Sequence, residues 1–360
     1  MADSEKRNGT SHNGGHNMKK LIAIFLCCAM VLALAGCAGT TVVVGECTCP
    51  PNAHEVVAQT PASADGALKT GLAIVPALSG KNATAEENGK VSYDVTIVAV
   101  TVDEAGVIQS CVIDSVGEDA AFDVTGAAAA EGTTEVLSKN EKGFDYGMVK
   151  YNASAIGKEW FEQAAALAQF TVGKTMEQVK AGYSSDVDLA TSATIKLGGY
   201  VDAMEVAVAN AKALGAQAGN ELKLAVNATV DTAAGSAQLN LDAAVVTLAD
   251  GVITSCVIDS LQAKVAIDET GAITTDLTVA PLTKTQLGFD YGMVAYKASA
   301  IGKEWFEQVE NFCNYIVGKT PAQVAGIAVT ETTAPADVDL AAGCSIAIGG
   351  FQSLIAEAAE

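Results

Sequence analysis

GFDYGMVKYNASAIGKEWFEQ at residues 143–163 returns as GFDYGMVAYKASAIGKEWFEQ at residues 288–308, displaced by 145 residues in a chain of 360. Near-identity over a stretch this long, at one fixed spacing, indicates that a structural unit has been duplicated. A unit of this length can bury a core of its own. The sequence therefore predicts two tandem domains, one over residues 68–217 and the other over residues 218–360.

The first part of each copy has the alternating pattern of β-strands. Apolar and polar residues alternate before SCVIDS, which stands at 110–115 and again at 255–260, and Asp250-Gly251 is typical of a hairpin turn. A second hairpin is predicted around Gly126 and Gly271. The predicted buried face comprises Tyr93, Val95, Ile97 and Ala99 in the first copy and Leu239, Leu241, Ala243 and Val245 in the second.

The second part of each copy has helical spacing of its apolar residues. Thr175 and Thr320 each begin a capping box, which predicts a short helix after the longer one. Because strands come first and helices second, the sequence predicts an α+β fold rather than a doubly wound sheet. The longer and terminal helices are predicted over 157–171 and 200–214 in the first copy and over 302–316 and 351–359 in the second.

Composition excludes several classes of function. Half of the residues are apolar and the formal net charge is −21, so binding to nucleic acid is not expected. The only arginine is Arg7, and the only histidines are His12, His16 and His54, all upstream of the repeats. The repeats therefore lack the residues for a Ser-His-Asp triad or a histidine-based zinc site, and we predict no metal site.

The N-terminal region has the pattern of an export signal. Lys19 and Lys20 precede an apolar run over residues 21–36, which is shorter than the 20 or so residues that a transmembrane helix needs. We interpret residues 1–36 as a signal peptide, with Met18 as an alternative start of translation. A short buried helix is the competing interpretation.

The end of this run, Leu34-Ala35-Gly36-Cys37, resembles the lipobox of bacterial lipoproteins. The resemblance implies that Cys37 is lipidated, becomes the first mature residue, and anchors the protein to the outer side of the cell membrane. Residues 37–67 then form the lipidated cysteine and a flexible tether, since they lack periodicity and are rich in Thr, Ser, Ala and Pro.

Two other motifs have plain structural interpretations. GKT at 173–175 and 318–320 is not a nucleotide-binding loop, because Ala168 and Cys313 stand where that loop needs glycine. These residues are better explained as a helix end followed by a capping box.

The cysteines give weak signals. Cys47 and Cys49, two residues apart, are more readily explained as exposed tether thiols than as metal ligands. Cys111 and Cys256 occupy equivalent places in apolar strands, where cysteine usually serves as a small core residue.

GFDYGMV allows two interpretations. It can be a tight turn that packs its aromatic rings on the sheet, or a ligand loop in which Tyr146 and Tyr291 contact a flat ring. Trp160 and Trp305 could stack on a cofactor, although a tryptophan on an amphipathic helix more often belongs to the core.

Each copy closes on a short motif, DLATSAT at 188–194 and DLAAGCS at 339–345. Both resemble the flavinylation motif of FMN-binding domains: Asp, two variable residues, Ser or Thr, Gly, Ala, and a final Thr or Ser. In that family a separate flavin transferase takes FMN from FAD and esterifies its phosphate to the last hydroxyl. The resemblance implies attachment at Thr194 and, with more departures from the motif, at Ser345, with Asp188 and Asp339 as the leading acids.

The remaining motif positions match incompletely. Ser192 replaces the expected glycine in the first copy, while the second copy keeps Gly343 but has Ala342 and Cys344 where Ser or Thr and Ala are expected. A hydroxyl on a loop shortly before a helix N-terminus suits an anionic phosphodiester. The candidate contacts with FMN at these positions are Thr191, Ser192, Ala193, Gly343 and Cys344.

The leader, the tandem domains and the shared motifs together resemble the peptide-pheromone lipoprotein family of Gram-positive bacteria. That family implies an extracellular, membrane-anchored electron carrier rather than an enzyme. It would relay electrons from a membrane NADH dehydrogenase and quinone system to external acceptors such as ferric iron. The alternatives are a flavin-free surface lipoprotein with a binding or structural role and a precursor whose signal peptide is released as a pheromone.

Overall fold

Two antiparallel four-stranded sheets lie face to face at the centre of the fold, in a computed structural model that describes residues 66–359. The first sheet has the strand order β3-β2-β1-β5 and the second the order β4-β6-β7-β8. The predicted α+β class is confirmed. The strands are β1 (Ala67–Lys81), β2 (Gly89–Val102), β3 (Ile108–Phe122), β4 (Gly132–Val136), β5 (Lys212–Gln217), β6 (Glu221–Ala233), β7 (Ser236–Ala249) and β8 (Val252–Ala266).

One strand of the first repeat pairs with the sheet of the second. β4 lies against β6, with Val136 opposite Ala228. The first sheet is completed instead by β5, which pairs with β1 after the last helix of the first repeat. Residues 68–217 thus include one strand that belongs to the other sheet.

The second hairpin predicted in each copy is reduced to a turn. Gly126 donates its N–H to the carbonyl of Asp123, and the returning chain makes a single bridge, Phe122 to Ala128. In the second copy the bridge joins Ile267 to Ile273. In the first copy the chain continues from this turn into β4, which pairs with β6.

The two sheets bury their facing sides in one shared core. All eight residues predicted on the apolar faces of β2 and β7 belong to this single cluster. Thr70 Oγ1 of β1 and Ser255 Oγ of β8 lie 2.7 Å apart in a buried hydrogen bond between the sheets. The central apolar layer is therefore made jointly by the two repeats.

Helices cover the outer face of each sheet. Trp160 and Leu167 belong to the cluster under the first sheet, and Trp305 and Phe312 to the one under the second. No helix within residues 66–359 is long and apolar enough to cross a membrane. The helices are α1 (Lys139–Lys142), α2 (Trp160–Thr171), α3 (Met176–Gly182), α4 (Val187–Ser192), α5 (Gly198–Asn210), α6 (Lys284–Leu287), α7 (Trp305–Ile316), α8 (Pro321–Ala325), α9 (Val338–Ala341) and α10 (Gly349–Ala358), with 3-10 turns at Gly143–Tyr146 and Gly288–Tyr291.

Helix boundaries differ from the predictions for local reasons. α2 begins at Trp160 rather than at residue 157, because Glu159 is its N-cap and forms a capping box with Glu162. The terminal helix predicted over 200–214 ends at Asn210, since the chain then extends into β5. The capping boxes predicted at Thr175 and Thr320 are confirmed.

The shared core predicts that the two repeats unfold together. Leu241 is 1% exposed in the central cluster, and Leu241→Ala should cost about 2 to 5 kcal/mol. Trp160 and Trp305 are the only tryptophans in the chain, one in each repeat, so Trp305→Phe leaves a fluorescent reporter of the first repeat. In that background Leu241→Ala, although it lies in the second repeat, should lower the denaturation midpoint that Trp160 reports.

Val187→Ala is the control, because Val187 is 75% exposed and its truncation should leave the midpoint almost unchanged. If Leu241→Ala left the midpoint reported by Trp160 unchanged but lowered the midpoint reported by Trp305 in a Trp160→Phe background, the repeats would unfold independently.

Candidate cofactor cavities

Each repeat has a cavity on the outer, helix-covered side of its sheet. The second cavity is lined in part by Asp242 and Ser260, whose neighbours Leu241 and Leu261 point into the central core. The two volumes are about 550 Å³ in the first repeat and 650 Å³ in the second, within the range of about 300–1,000 Å³ typical of small-molecule sites. The first cavity is lined by Lys139, Tyr146, Met148, Tyr151, Trp160 and Tyr200, among others.

A lysine lies over two aromatic rings in each cavity. Lys139 Nζ is 5.6 Å from the ring centroid of Tyr146 and 5.2 Å from that of Trp160. These are cation–π distances. The second repeat has the same arrangement, in which Lys284 Nζ lies 5.5 Å from Tyr291 and 5.0 Å from Trp305.

A buried aspartate on β3, Asp114, holds the helix that carries Lys139. Asp114 Oδ1 accepts a hydrogen bond from Asn140 N at 3.1 Å and one from Ser115 N at 2.7 Å. Burial raises the pKa of Asp114 to about 6, against hydrogen bonds that lower it, of which the one from Ser138 is the strongest. In the second copy Asp259 binds Thr285 N in the same way, and burial again raises the pKa of that carboxyl.

GFDYGMV forms a tight turn, and its tyrosine also lines the cavity. Gly147 has a φ of 81°, and a Cβ there would lie 2.8 Å from the ring of Tyr151. Gly292 is equivalent, with a φ of 80° and Tyr296 at 2.7 Å. Both interpretations of the motif thus apply: the turn is structural, and Tyr146 faces the cavity that it helps to build.

A buried glutamate joins this turn to the long helix. Glu159 is 2% exposed and accepts hydrogen bonds from Met148 N at 2.7 Å and from Val149 N at 2.9 Å. Glu304 makes the same pair of bonds in the second repeat, at 2.7 and 3.0 Å. The side chain of Glu159 therefore both caps α2 and fixes the position of the turn beside the cavity.

A fully buried glutamine binds the last residue of the first closing motif. Gln163 Oε1 accepts hydrogen bonds from Thr194 N at 2.7 Å, Thr194 Oγ1 at 3.2 Å and Ile195 N at 3.2 Å. Its Nε2 donates to the carbonyl of Lys158 at 3.0 Å and to Ser154 Oγ at 3.3 Å. The amide thus fixes the hydroxyl of Thr194 relative to the helix.

The second copy repeats this geometry. Gln308 Oε1 accepts from Ser345 N at 2.8 Å and from Ser345 Oγ at 3.0 Å. Its Nε2 donates to the carbonyl of Lys303 at 2.9 Å and to Ser299 Oγ at 3.3 Å. A hydroxyl that donates its hydrogen keeps its lone pairs available, but a neutral amide oxygen cannot remove the proton.

The first part of the closing motif is helical, whereas we predicted a loop for the whole of it. Asp186 caps α4 by accepting from Leu189 N at 2.8 Å, and Asp188 stands exposed in the first turn. Thr194 follows the helix and is exposed. Asp339 is likewise exposed in α9, so neither leading acid lines a cavity.

The departures from the motif have local explanations. A Cβ on Gly343 would lie 2.8 Å from Asn311 Oδ1 on α7, so a larger residue here would require the Asn311 side chain to shift. The residue equivalent to Asn311 in the first copy is Ala166, whose small side chain leaves room for Ser192. Loss of the glycine is thus offset by a smaller neighbour.

The other positions of the closing motif are either buried or bonded within a helix. Ala193 and Cys344 are equivalent and both buried. Thr191 Oγ1 donates to the carbonyl of Asp188 at 2.9 Å, a bond within α4 that Ala342 of the second copy cannot make. Neither Thr191 nor Ala342 lines a cavity, so this difference lies outside the site.

The closing hydroxyls stand at the edges of the cavities. Ile195 and Lys196, which follow Thr194, line the first cavity, and Ile346 and Ala347, which follow Ser345, line the second. The helix α5 begins four residues after Thr194, as the prediction of a hydroxyl near a helix N-terminus requires. Each hydroxyl therefore lies next to the loop that forms one wall of its cavity.

Several site residues escaped the sequence prediction, although their identity in the two copies could have revealed them. In the first copy they are Lys139, Glu159 and Gln163. Trp160, which we favoured as a core residue, is buried and also contributes to the cavity wall, as does Trp305. Cys111 and Cys256 are buried in the apolar clusters, as predicted. Cys37, Cys47 and Cys49 lie outside the described residues.

The two cavities differ in the residue that contacts the tryptophan indole. Trp160 Nε1 donates to Tyr200 OH at 3.0 Å, whereas Phe351 stands at the corresponding place and meets Trp305 edge to face at 6.3 Å between centroids. The second cavity is therefore less polar on this side.

Replacing the buried glutamine should destabilise the closing loop. Gln163→Leu leaves two backbone N–H groups and the carbonyl of Lys158 without their partner, and we expect a loss of about 3 kcal/mol in urea denaturation. Gln169→Leu, an exposed position on the same helix, is the matched control. Equal stability of the two variants would contradict the role assigned to Gln163.

The raised pKa of Asp114 predicts a pH-dependent effect of Asp114→Asn. The folded state holds the proton more tightly than the unfolded state, whose pKa is near 3.8, so the carboxylate opposes folding increasingly as pH rises from 4 to 7. Asparagine imitates the protonated acid. The Tm of Asp114→Asn minus that of wild type should therefore increase over this range, and a flat difference would contradict the assignment.

Both cavities combine flat apolar walls, one lysine over two rings, and a nucleophilic hydroxyl fixed at the edge. Such a set of groups suits a planar, acceptor-rich ring that carries a phosphate. No cluster of three or more metal-ligating side chains occurs among residues 66–359. Comparison with protein-family models, with curated proteins and with solved structures found no match to this chain.

Proposed function

We propose that this protein is an electron carrier with FMN attached covalently in each of two tandem FMN-binding-like domains, through phosphoesters to Thr194 and Ser345. One observation carries the proposal. In both repeats the closing hydroxyl is held by a buried glutamine at the edge of a cavity lined by aromatic rings. The arrangement is the same in both repeats although their closing motifs differ in sequence.

The walls of the cavities fit a flavin ring. Tyr146 and Trp160 in the first repeat offer ring surfaces for an isoalloxazine, and Lys139 offers a donor to its carbonyl oxygens. Tyr151 is 69% exposed at the mouth and could cover the outer side of the ring. A bound flavin would supply the redox chemistry, and the protein would supply position and electrostatics.

Attachment would be carried out by a separate flavin transferase that uses FAD. The bond from Thr194 Oγ1 to phosphorus forms, the pyrophosphate bond of FAD breaks, AMP leaves, and the hydroxyl proton is lost to a base. Gln163 cannot be that base, because its neutral amide only orients the hydroxyl. The transferase would supply it, which fits a Thr194 that is exposed.

The leading acids suit recognition by that transferase. Asp188 and Asp339 are exposed and stand away from the cavity walls, so they are accessible before the flavin arrives. Asp186 and Asp337, two residues earlier, are occupied as helix caps. This division assigns the first acid of each Asp-x-Asp pair to folding and the second to the modifying enzyme.

The carrier would act at the cell surface, tethered by a lipid on Cys37. Its electrons would come from a membrane NADH dehydrogenase and quinone system and pass to extracellular acceptors such as ferric iron. Covalent attachment suits this location, because a flavin that dissociates outside the cell is lost by dilution whereas a tethered one keeps a high effective concentration.

The proposal predicts two flavin adducts on the full chain when it is coexpressed with a flavin transferase outside the cytoplasm. Intact mass after denaturation should show two added FMN groups on wild type, one on Thr194→Ala, one on Ser345→Ala and none on the double variant. Denaturation matters because it removes any flavin held without a covalent bond.

Ser185→Ala is the matched control, since Ser185 is an exposed hydroxyl residue upstream of the closing motif whose Oγ donates to the carbonyl of Gly182. It should keep both adducts. A wild-type mass without flavin, or a full adduct on the double variant, would overturn the proposal.

A further inference from the structure

We propose that Lys139 and Lys284 contact the flavin ring directly and raise its reduction potential. This inference rests on the proposed function, because it concerns the same two cavities. It assigns to these lysines a tuning role that the closing motif does not include.

The two ammonium groups are placed for a ligand rather than for the protein. The Lys139 side chain is 12% exposed, and its nearest carboxylate oxygen, Asp94 Oδ1, is 3.9 Å away, beyond hydrogen-bond distance. Within residues 66–359 neither ammonium group forms a hydrogen bond. Each lies instead over two rings that line a cavity.

The cost of desolvating Lys139 is only partly offset by a carboxylate oxygen 3.9 Å away and by two ring faces. Burial lowers the pKa of Lys139, against the nearby charges of Asp94 and Asp114, which raise it. A ligand that places an acceptor or a negative charge in the cavity would remove this cost. The geometry thus favours an electron-rich ring edge at the ammonium group.

A lysine occupies this position in both cavities, whereas a second lysine, found in the first cavity, has no counterpart in the second. Lys196 lines the first cavity, but its place in the second is taken by Ala347. Of the residues that line the second cavity, Lys284 is the only one with a positive charge. Any electrostatic tuning by side-chain cations common to both sites therefore falls to Lys139 and Lys284.

Reduction adds electrons to the ring, so a cation beside it favours the reduced state. A hydrogen bond to a charged group is worth about 1.5 to 3 kcal/mol, and tenfold in an equilibrium constant is about 1.4 kcal/mol. Only the difference between the lysine's interaction with the reduced ring and with the oxidised ring shifts the potential, so removing the lysine should shift the redox equilibrium by about tenfold, or about 30 mV for a two-electron couple.

The test measures one site at a time. Ser345→Ala leaves the flavin on Thr194, and Thr194→Ala leaves the flavin on Ser345. In a spectroscopic redox titration of full-length protein, Lys139→Met should lower the midpoint potential in the first background, and Lys284→Met in the second. Lys139→Arg, which keeps the charge, should retain most of the wild-type potential.

Lys142→Leu is the matched control. Lys142 lies on the same short helix but outside the cavity, and the second repeat already has Leu287 at this place. It removes the same charge and should leave the potential within a few millivolts of its background. Equal potentials for Lys139→Met and Lys142→Leu would overturn the inference while leaving the flavin adducts, and so the proposed function, intact.

Loss of the adduct in Lys139→Met has its own interpretation. If circular dichroism is unchanged and Lys139→Arg keeps the adduct, the cation is needed to seat the ring, which supports direct contact. If Lys139→Met does not fold, Lys139→Gln is titrated in its place, and an unchanged potential there counts against the inference. Absence of flavin from wild type would instead overturn the proposed function.

Discussion

Each sheet of this fold has two apolar faces, and neither repeat alone can cover both of them. The helices of a repeat cover the outer face of its sheet, and the inner face is buried only against the sheet of the other repeat. This constraint fixes the order of layers as helices, sheet, sheet, helices. Because facing sheets pack about 10 Å apart, both sheets separate the two cavities, which open on opposite outer sides. Two cofactors held this way would act as separate centres on one rigid support.

The long helix of each repeat organises the site through closely spaced residues. Glu159 holds the turn, Trp160 forms a cavity wall, and Gln163 holds the closing hydroxyl, all within one helical turn and its cap. Positions i and i+4 of a helix lie on one face, so Glu159 and Gln163 reach the same side from one rigid element. A shift in the start of this helix would displace the turn and the hydroxyl together, which explains why a capping box fixes that start.

The sequence predicted the elements whose pattern is local. Alternation gave the buried face of β2 and β7, and capping boxes located α3 and α8. β1 was not predicted, because its middle, from Leu72 to Ile74, is buried on both sides and shows no alternation. The exchange of β4 into the other sheet depends on pairing at long range, which no local pattern encodes. Within the site, the motif marked Thr194 and Ser345, whereas Gln163 and Lys139 are brought to them by tertiary folding across 31 and 55 residues.

Differences between the copies show which features of the site are interdependent. In the second copy Gly343 lies against Asn311 of the long helix, whereas the equivalent residues of the first copy are Ser192 and Ala166. The loop keeps its path although both residues of the pair differ. Both sites have the same lysine, tyrosine and tryptophan in the cavity and the same glutamate and glutamine beside it. The residue that contacts the indole differs. Trp160 donates to Tyr200, whereas Phe351 offers Trp305 a ring edge and no acceptor. An indole N–H without this partner can donate to a ligand, whereas the first cavity has Lys196 and the Tyr200 hydroxyl where the second has Ala347 and Phe351. The two repeats thus share the cation, the ring surfaces and the held hydroxyl, and differ in polarity where Lys196 and Tyr200 of the first cavity are replaced by Ala347 and Phe351.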